Sequence, residues 1–323
     1  NHDSSSKLDV DGLLWKYFNA NVVGTIPRDN DESLENRAFY DSVFSKHIIP
    51  VRKTRESEVL GYVVAVPHCY PQNFPNINPE DGKQERMKSF INLLLEKVAE
   101  FNTEGLPVIL TAHTFVTGSN IKGHDAIIAG GLDNSDIGTF GSGWDYLALG
   151  HIHFPQEIKG SKGKARYSGS PFPMNFEEDY DHFVNIVEIE KRGEMPQVRQ
   201  FPIEPLYKME TISAKDFPEG RRSCMDLLPL LHNYPPHKKA YIRLEVRETG
   251  ELPSDYIQRV KTALTGKKAR YCLVKQEIPD KPAEGEGIYL TAAQVGALSP
   301  REMAEIIAPE LFGDYDDYWF LAS

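Results

Sequence analysis

Gly150-His151-Ile152-His153 closes a short apolar run, Tyr146 to Leu149, and a second apolar run, Pro107 to Ala112, ends in His113. Neutral imidazole is a ligand suited to Mn, Fe and Zn. Two histidines at i and i+2 beyond a strand can face one cleft if the backbone leaves extended geometry there, and Gly150 permits that turn. An arbitrary His-x-His is more often a pair of loop histidines. Here two strand ends, the place where α/β folds build their sites, both deliver imidazoles, which favours ligands. Asn1-His2-Asp3 adds a carboxamide oxygen able to ligate a cation and a histidine able to give a proton to a leaving oxygen. Together these residue types suit metal-assisted displacement at phosphorus.

The elements that must position them are legible as hydrophobic patterns. Leu60 to Pro67 is a short apolar, β-branched run and reads as a buried strand. The Pro- and Asn-rich segment Pro71 to Pro79 reads as a loop. From about Lys83 to Phe101 the residues Met87, Phe90, Ile91, Leu94, Val98 and Phe101 form one apolar stripe at helical spacing. Pro107 to Ala112, Ala126 to Ala129 and Tyr146 to Leu149 read as further strands. Phe183 to Ile189 and Gln197 to Ile203 should pair antiparallel across a Lys191-Arg192-Gly193 turn.

Near Pro205 the pattern restarts. Strands are expected at Tyr207 to Ile212, Ala240 to Val246 and Arg270 to Lys275, with helices at Met225 to His232 and Pro253 to Leu264, the latter with Ser254 as candidate cap. The expected organisation is a first domain over 1–204, an α+β domain over 205–278, and a linker with C-terminal helix and tail over 279–323. Pro279 to Gly287 reads as linker. Ser299-Pro300-Arg301-Glu302 is a capping box for a helix running to about Leu311, and Asp314 to Trp319 is an acidic-aromatic tail.

Composition bounds the function. The 323 residues are 40% hydrophobic and 26% charged, as in ordinary globular chains. No stretch reaches the roughly 18–20 uncharged apolar residues needed to cross a bilayer, so no membrane partner is expected. Cys69, Cys224 and Cys272 are odd in number and widely spaced, which argues against a disulfide framework or zinc knuckle and makes a reducing, cytoplasmic compartment the expectation. A net charge of −11 argues against nucleic acid, whose binders usually carry a basic surface. Metal ions can supply positive charge at a phosphodiester, however, and Lys162, Lys164 and Arg166 cluster near the histidine motif.

Taken in order, Asn1-His2-Asp3, Thr111-Ala112-His113, Tyr146 through His153, and Tyr167-Ser168-Gly169-Ser170-Pro171 resemble the calcineurin-like metallophosphoesterases. Within that superfamily they are similar to the SbcD family, the bacterial nuclease subunit that partners the SbcC ATPase in DNA repair. The Gly-His-x-His element is common to the superfamily, whereas the run from Asp145 through Pro171 points to SbcD. The resemblance covers residues 1 to about 205, and the α+β unit that follows has the place and size of that family's DNA-capping domain.

The resemblance implies an α/β fold, a four-layer α/β/β/α metallophosphoesterase sandwich followed by the small α+β capping domain. It implies a DNA exonuclease/endonuclease working with two divalent metal ions, Mn2+ being the expected pair. Asn1, His113 and His151 would ligate the second metal, His153 the first, and His2 would be the catalytic acid beside the scissile phosphate. Asp-x-His and Gly-Asp motifs, which complete the first metal and supply the bridging carboxylate, are expected upstream of Asn1, so this stretch alone is expected to be incomplete. The implied partners are DNA (duplex ends, hairpins, single strands), the SbcC-type ATPase, and a second copy within a heterotetramer.

Two alternatives stay open: a metallophosphoesterase acting on small phosphodiesters or monoesters, and a non-catalytic scaffold binding DNA ends or the ATPase. Other features read as structural. Gly130-Gly131 and Gly141-Ser142-Gly143 are expected turns, and Ser168 and Ser170 lie in no nucleophile elbow. Trp15, Tyr17 and Phe18 are expected in the core, and His47, His68, His124 and Asp125 on loops or the surface.

Overall fold

A computed structural model describes residues 7, 15, 17–18, 20–27, 37–83, 85–122, 134–213, 223–247 and 251–277. The expected strand Ala126 to Ala129, the linker, the capping-box helix and the acidic-aromatic tail lie outside them.

The chain enters its first sheet through a helix that the hydrophobic pattern does not announce, α1 (Arg37–His47), followed by β1 (Ile48–Arg52) and β2 (Val59–Val66). Next come α2 (Arg86–Phe101), β3 (Val108–His113), the short β4 (Phe115–Val116) and β5 (Asn134–Ser135), and β6 (Tyr146–Gly150). Two more short strands, β7 (Gln156–Glu157) and β8 (Ala165–Tyr167), complete a six-stranded sheet in the order β1-β2-β3-β6-β8-β7. Strands β2, β3, β6 and β8 run parallel, and β1 and β7 flank them antiparallel.

Strands buried on both faces read as continuous apolar runs, which is why β2, β3 and β6 are visible in sequence. The α2 stripe buries Met87, Phe90, Ile91, Leu94, Leu95 and Val98 in one core with Val64, Leu110 and Leu147. Helix α1 is hard to see because its sequence, RAFYDSVFSKH, buries only Phe39, Val43 and His47. His47 is not a surface residue: it is fully buried, and its Nδ1 lies 2.7 Å from the Ala65 carbonyl. Three aromatic residues expected in the core lie outside it. Trp15, Tyr17 and Phe18 are 39%, 79% and 65% exposed, the last two packing edge to face on each other.

Strands β9 (Phe183–Glu188) and β10 (Gln197–Pro202) form the expected antiparallel hairpin. Beyond them lie β11 (Lys208–Ser213), α3 (Cys224–His232), β12 (Ala240–Arg247), α4 (Tyr256–Ala263) and β13 (Arg270–Glu277), with the strands in sheet order β11-β12-β13. A capping box formed by Ser223 and Asp226 starts α3. The N-cap of α4 is Asp255 and not Ser254, because the chain is still turning at Ser254, and the Asp255 carboxylate pairs with Arg259 one turn on. Leu227 and Leu231 of α3 and Tyr256, Val260 and Ala263 of α4 are buried, and the two helices pack together.

The described residues divide into two compact units. One holds those up to 211 with 235–243 and 266–272, and the other holds 212–213, 223–234, 244–247, 251–265 and 273–277. None of the three cysteines is in a disulfide. Among the described residues no helix is long and apolar enough to cross a membrane.

Candidate metal centre

Parallel pairing sets the site. β3 pairs with β6 so that His113 stands opposite Gly150, and β2 pairs with β3 so that Val66 stands opposite Ala112. His113 is therefore the last residue of its strand and His151 the first beyond the next. Their rings meet edge to face, centroids 5.5 Å apart and planes at 72°. The turn that redirects the chain falls on His151, whose φ is 112°, and not on Gly150. A non-glycine residue held there costs on the order of 1–3 kcal/mol and persists only where its surroundings fix it. Gly150 serves a different need: a Cβ on it would lie 2.9 Å from Nδ1 of His113, so only glycine leaves that ring its place.

His68, expected on a loop or the surface, is corrected by the structure. Two residues beyond the end of β2, it is half-buried against both histidines. Its ring centroid lies 5.8 Å from that of His113 and 6.3 Å from that of His151. In the sequence Pro67 ends the apolar run before it, which makes His68 look like the start of a loop.

His153 is oriented by a carboxylate that no sequence pattern singles out. Glu178, its side chain wholly buried, accepts from His153 Nδ1 at 2.8 Å. It also accepts from Ser170 Oγ at 3.0 Å, the Met174 amide at 3.1 Å and Asn175 Nδ2 at 3.1 Å. Four donors around one buried carboxylate offset its desolvation. They also leave no room for a second protonation pattern at His153. Nδ1 carries the proton, and the neutral ring offers its lone pair at Nε2, as metal-ligating histidines do when a carboxylate holds the other nitrogen. His182 joins from behind, Nδ1 lying 3.0 Å from the Ser170 carbonyl. The fit to a divalent cation rests on this tautomer and on the His113–His151 pair.

Tyr167 fixes the chain just past His113. Its hydroxyl donates to the Thr114 carbonyl at 2.6 Å and accepts from the Val116 amide at 2.9 Å. Burial pushes the phenol well above its ordinary pKa, only partly opposed by the Val116 hydrogen bond.

Asn1 and His2, the expected metal ligand and acid, lie outside the described residues, as do His124, Asp125 and Gly130-Gly131. Among the described residues no group of three or more His, Cys, Asp or Glu side chains is arranged to hold a metal ion. The basic cluster near the motif is partly committed elsewhere: Arg166 pairs with Glu157 at 2.8 Å, while Lys162 sits exposed on a turn with φ 54°. Gly141 and Gly143 are positive-φ turn residues as expected.

No family model matches the chain. Three curated proteins, each named as the SbcD component of the nuclease SbcCD, are similar to it. The Rhodobacter capsulatus protein is 28% identical over 197 residues, 58% of this chain and 46% of its own length. The Bacillus subtilis protein is 29% identical over 178 residues, covering 52% and 41% respectively. The Escherichia coli K12 protein is 43% identical over 187 residues, covering 55% and 42%. The chain thus spans less than half the length of each curated relative it matches. With a mixed α/β architecture and histidines gathered at the strand ends, the chain is, over the stretch these relatives share, a member of the SbcD family.

Proposed function

We propose that this chain carries the phosphodiester-cleaving site of a metal-dependent DNA exonuclease/endonuclease, within a four-layer α/β/β/α domain spanning 1–204. The three-stranded α+β region over 205–278 would be its DNA-capping domain, and 279–323 a linker and tail facing an SbcC-type ATPase. A second copy would complete a heterotetramer. The observation that carries this reading is the packing of His113 against His151 at adjacent strand ends, beside a His153 whose Nδ1 is held by buried Glu178.

Asn1, His113 and His151 would hold one divalent cation and His153 would contribute to the other, Mn2+ being the expected ion. Two such ions, when bound, supply a hydroxide at neutral pH and neutralise charge on a phosphodiester. The chain's own residues do the rest. Glu178 keeps the His153 proton on Nδ1, Gly150 clears space for the His113 ring, and His2 would give a proton to the leaving oxygen.

Mn2+ titrated into the full chain, with linear duplex DNA and a chromogenic phosphodiester as parallel substrates, tests the proposal. Duplex cleavage should require Mn2+, stop with EDTA and fall at least about a hundredfold in His151→Ala, the scale of losing a positioned catalytic group. Turnover of the chromogenic ester with intact duplex would instead make this a small-substrate phosphoesterase, which the net charge of −11 favours. DNA binding with no cleavage in Mn2+ would make it a scaffold.

A further inference from the structure

Three consecutive parallel strands, β2, β3 and β6, each deliver one imidazole at the carboxyl end, and only His113 and His151 have a place in the reading above. His68 is the third. The chain leaves β2 at Val66 through Pro67, whose ring fixes φ and removes an amide donor, and sets His68 against both neighbours. Its Nδ1 lies 3.3 Å from the His113 carbonyl oxygen. A carbonyl only accepts, so Nδ1 bears the proton and donates. The ring stands edge-on to His113 at 75° and parallel to His151 within 5°. Tyr70 packs on it in turn, centroids 5.7 Å apart.

We propose that His68 is a positioning residue of the metal centre, holding His113 and His151 in ligand orientation through its hydrogen bond to the His113 carbonyl and its ring contacts with both. Two features call for such support. His151 occupies a strained backbone conformation that its surroundings must fix. The His113 ring lies over a glycine, with no Cβ beneath it to limit its rotation. The inference rests on the metal-site reading, and its test separates the two.

Mn2+ affinity of the full chain is measured from the free-ion electron paramagnetic resonance signal, alongside thermal melting of the metal-free chain, for the parent, His68→Ala, His68→Phe and His68→Asn. Phenylalanine keeps a ring without the donor, and asparagine keeps a donor without the ring. His68→Ala should bind Mn2+ about tenfold more weakly, the usual scale for loss of a group that orients a ligand, with an unchanged metal-free melt. Phe and Asn should each recover part of that loss. Parent-like affinity in His68→Ala overturns the inference alone, whereas a parent chain that binds no Mn2+ overturns the metal reading and the inference with it. Should His68→Ala not fold, parent-like affinity in both Phe and Asn variants overturns the inference, and weakened affinity in both supports it.

Discussion

Glu178 shows how much one buried side chain can decide. Its carboxylate is acceptor-only, and all of its partners donate: His153 Nδ1, Ser170 Oγ, Asn175 Nδ2 and the Met174 amide. Replacing it with glutamine keeps the volume but turns one oxygen into an NH2 group, which must then face a donor. If it faces Met174, a buried amide loses its acceptor, at a cost of about 1–3 kcal/mol. If it faces His153, the imidazole must move its proton to Nε2, the nitrogen a metal would use. Glu178→Gln should therefore weaken Mn2+ binding by roughly 10–100-fold and lower the melting temperature. Parent-like Mn2+ affinity, read from the free-ion resonance, would show that the carboxylate does not set the His153 tautomer.

At the level of elements, the site is a product of strand register, and its two glycines fail differently. Alanine at Gly150 would put a Cβ 2.9 Å from a histidine ring, a group that can rotate away. Gly150→Ala should accordingly keep most of its stability while losing Mn2+ affinity, because His113 is what moves. Alanine at Gly169 would put a Cβ 2.5 Å from the His153 carbonyl oxygen at φ 81°, and backbone cannot yield so easily. Gly169→Ala should lose about 1–3 kcal/mol to backbone strain alone, with the clash added, visible as a lower midpoint in urea. Equal melting of both variants would contradict this contrast. The same register explains what the sequence could reveal. β2, β3 and β6 are apolar on both faces and end in Pro, His and Gly-His, so strand and chemistry coincide in one string of letters. His68 and Glu178 carry no such mark. Their roles come from pairing β2 beside β3 and from folding the segment after Pro171 back onto His153, contacts between positions 45 and 25 residues apart respectively. Helix α1 is illegible for a related reason, since its apolar face is three residues wide and makes sense only against the sheet.

Across the whole molecule, 47 acidic side chains outweigh 36 basic ones, and a polyanion should be repelled. Net charge is a poor guide at close range, however, because at physiological salt fields between exposed charges fade within about 8 Å, so a duplex responds to the patch it touches. One patch stands apart from the average. Tyr207 stacks on Tyr241 with centroids 5.0 Å apart, Arg270 lies 5.2 Å from the Tyr207 ring and Lys239 lies 6.0 Å from it. Lys208 and Lys268 are exposed close by in the chain. Under the proposed DNA activity, this strip is where phosphates would be met without metal. Each phosphate neutralised by a side chain contributes about one unit to the slope of log affinity against log salt. The double variant Lys239→Glu/Arg270→Glu should thus bind a fluorescent linear duplex in EDTA with a slope shallower by roughly 2. Circular dichroism should show the parent fold, and Mn2+ affinity should be unchanged, since neither residue contacts the histidines. A parent-like slope would mean that the duplex lies on another face, and that the aromatic-basic strip serves only to hold its own strands together.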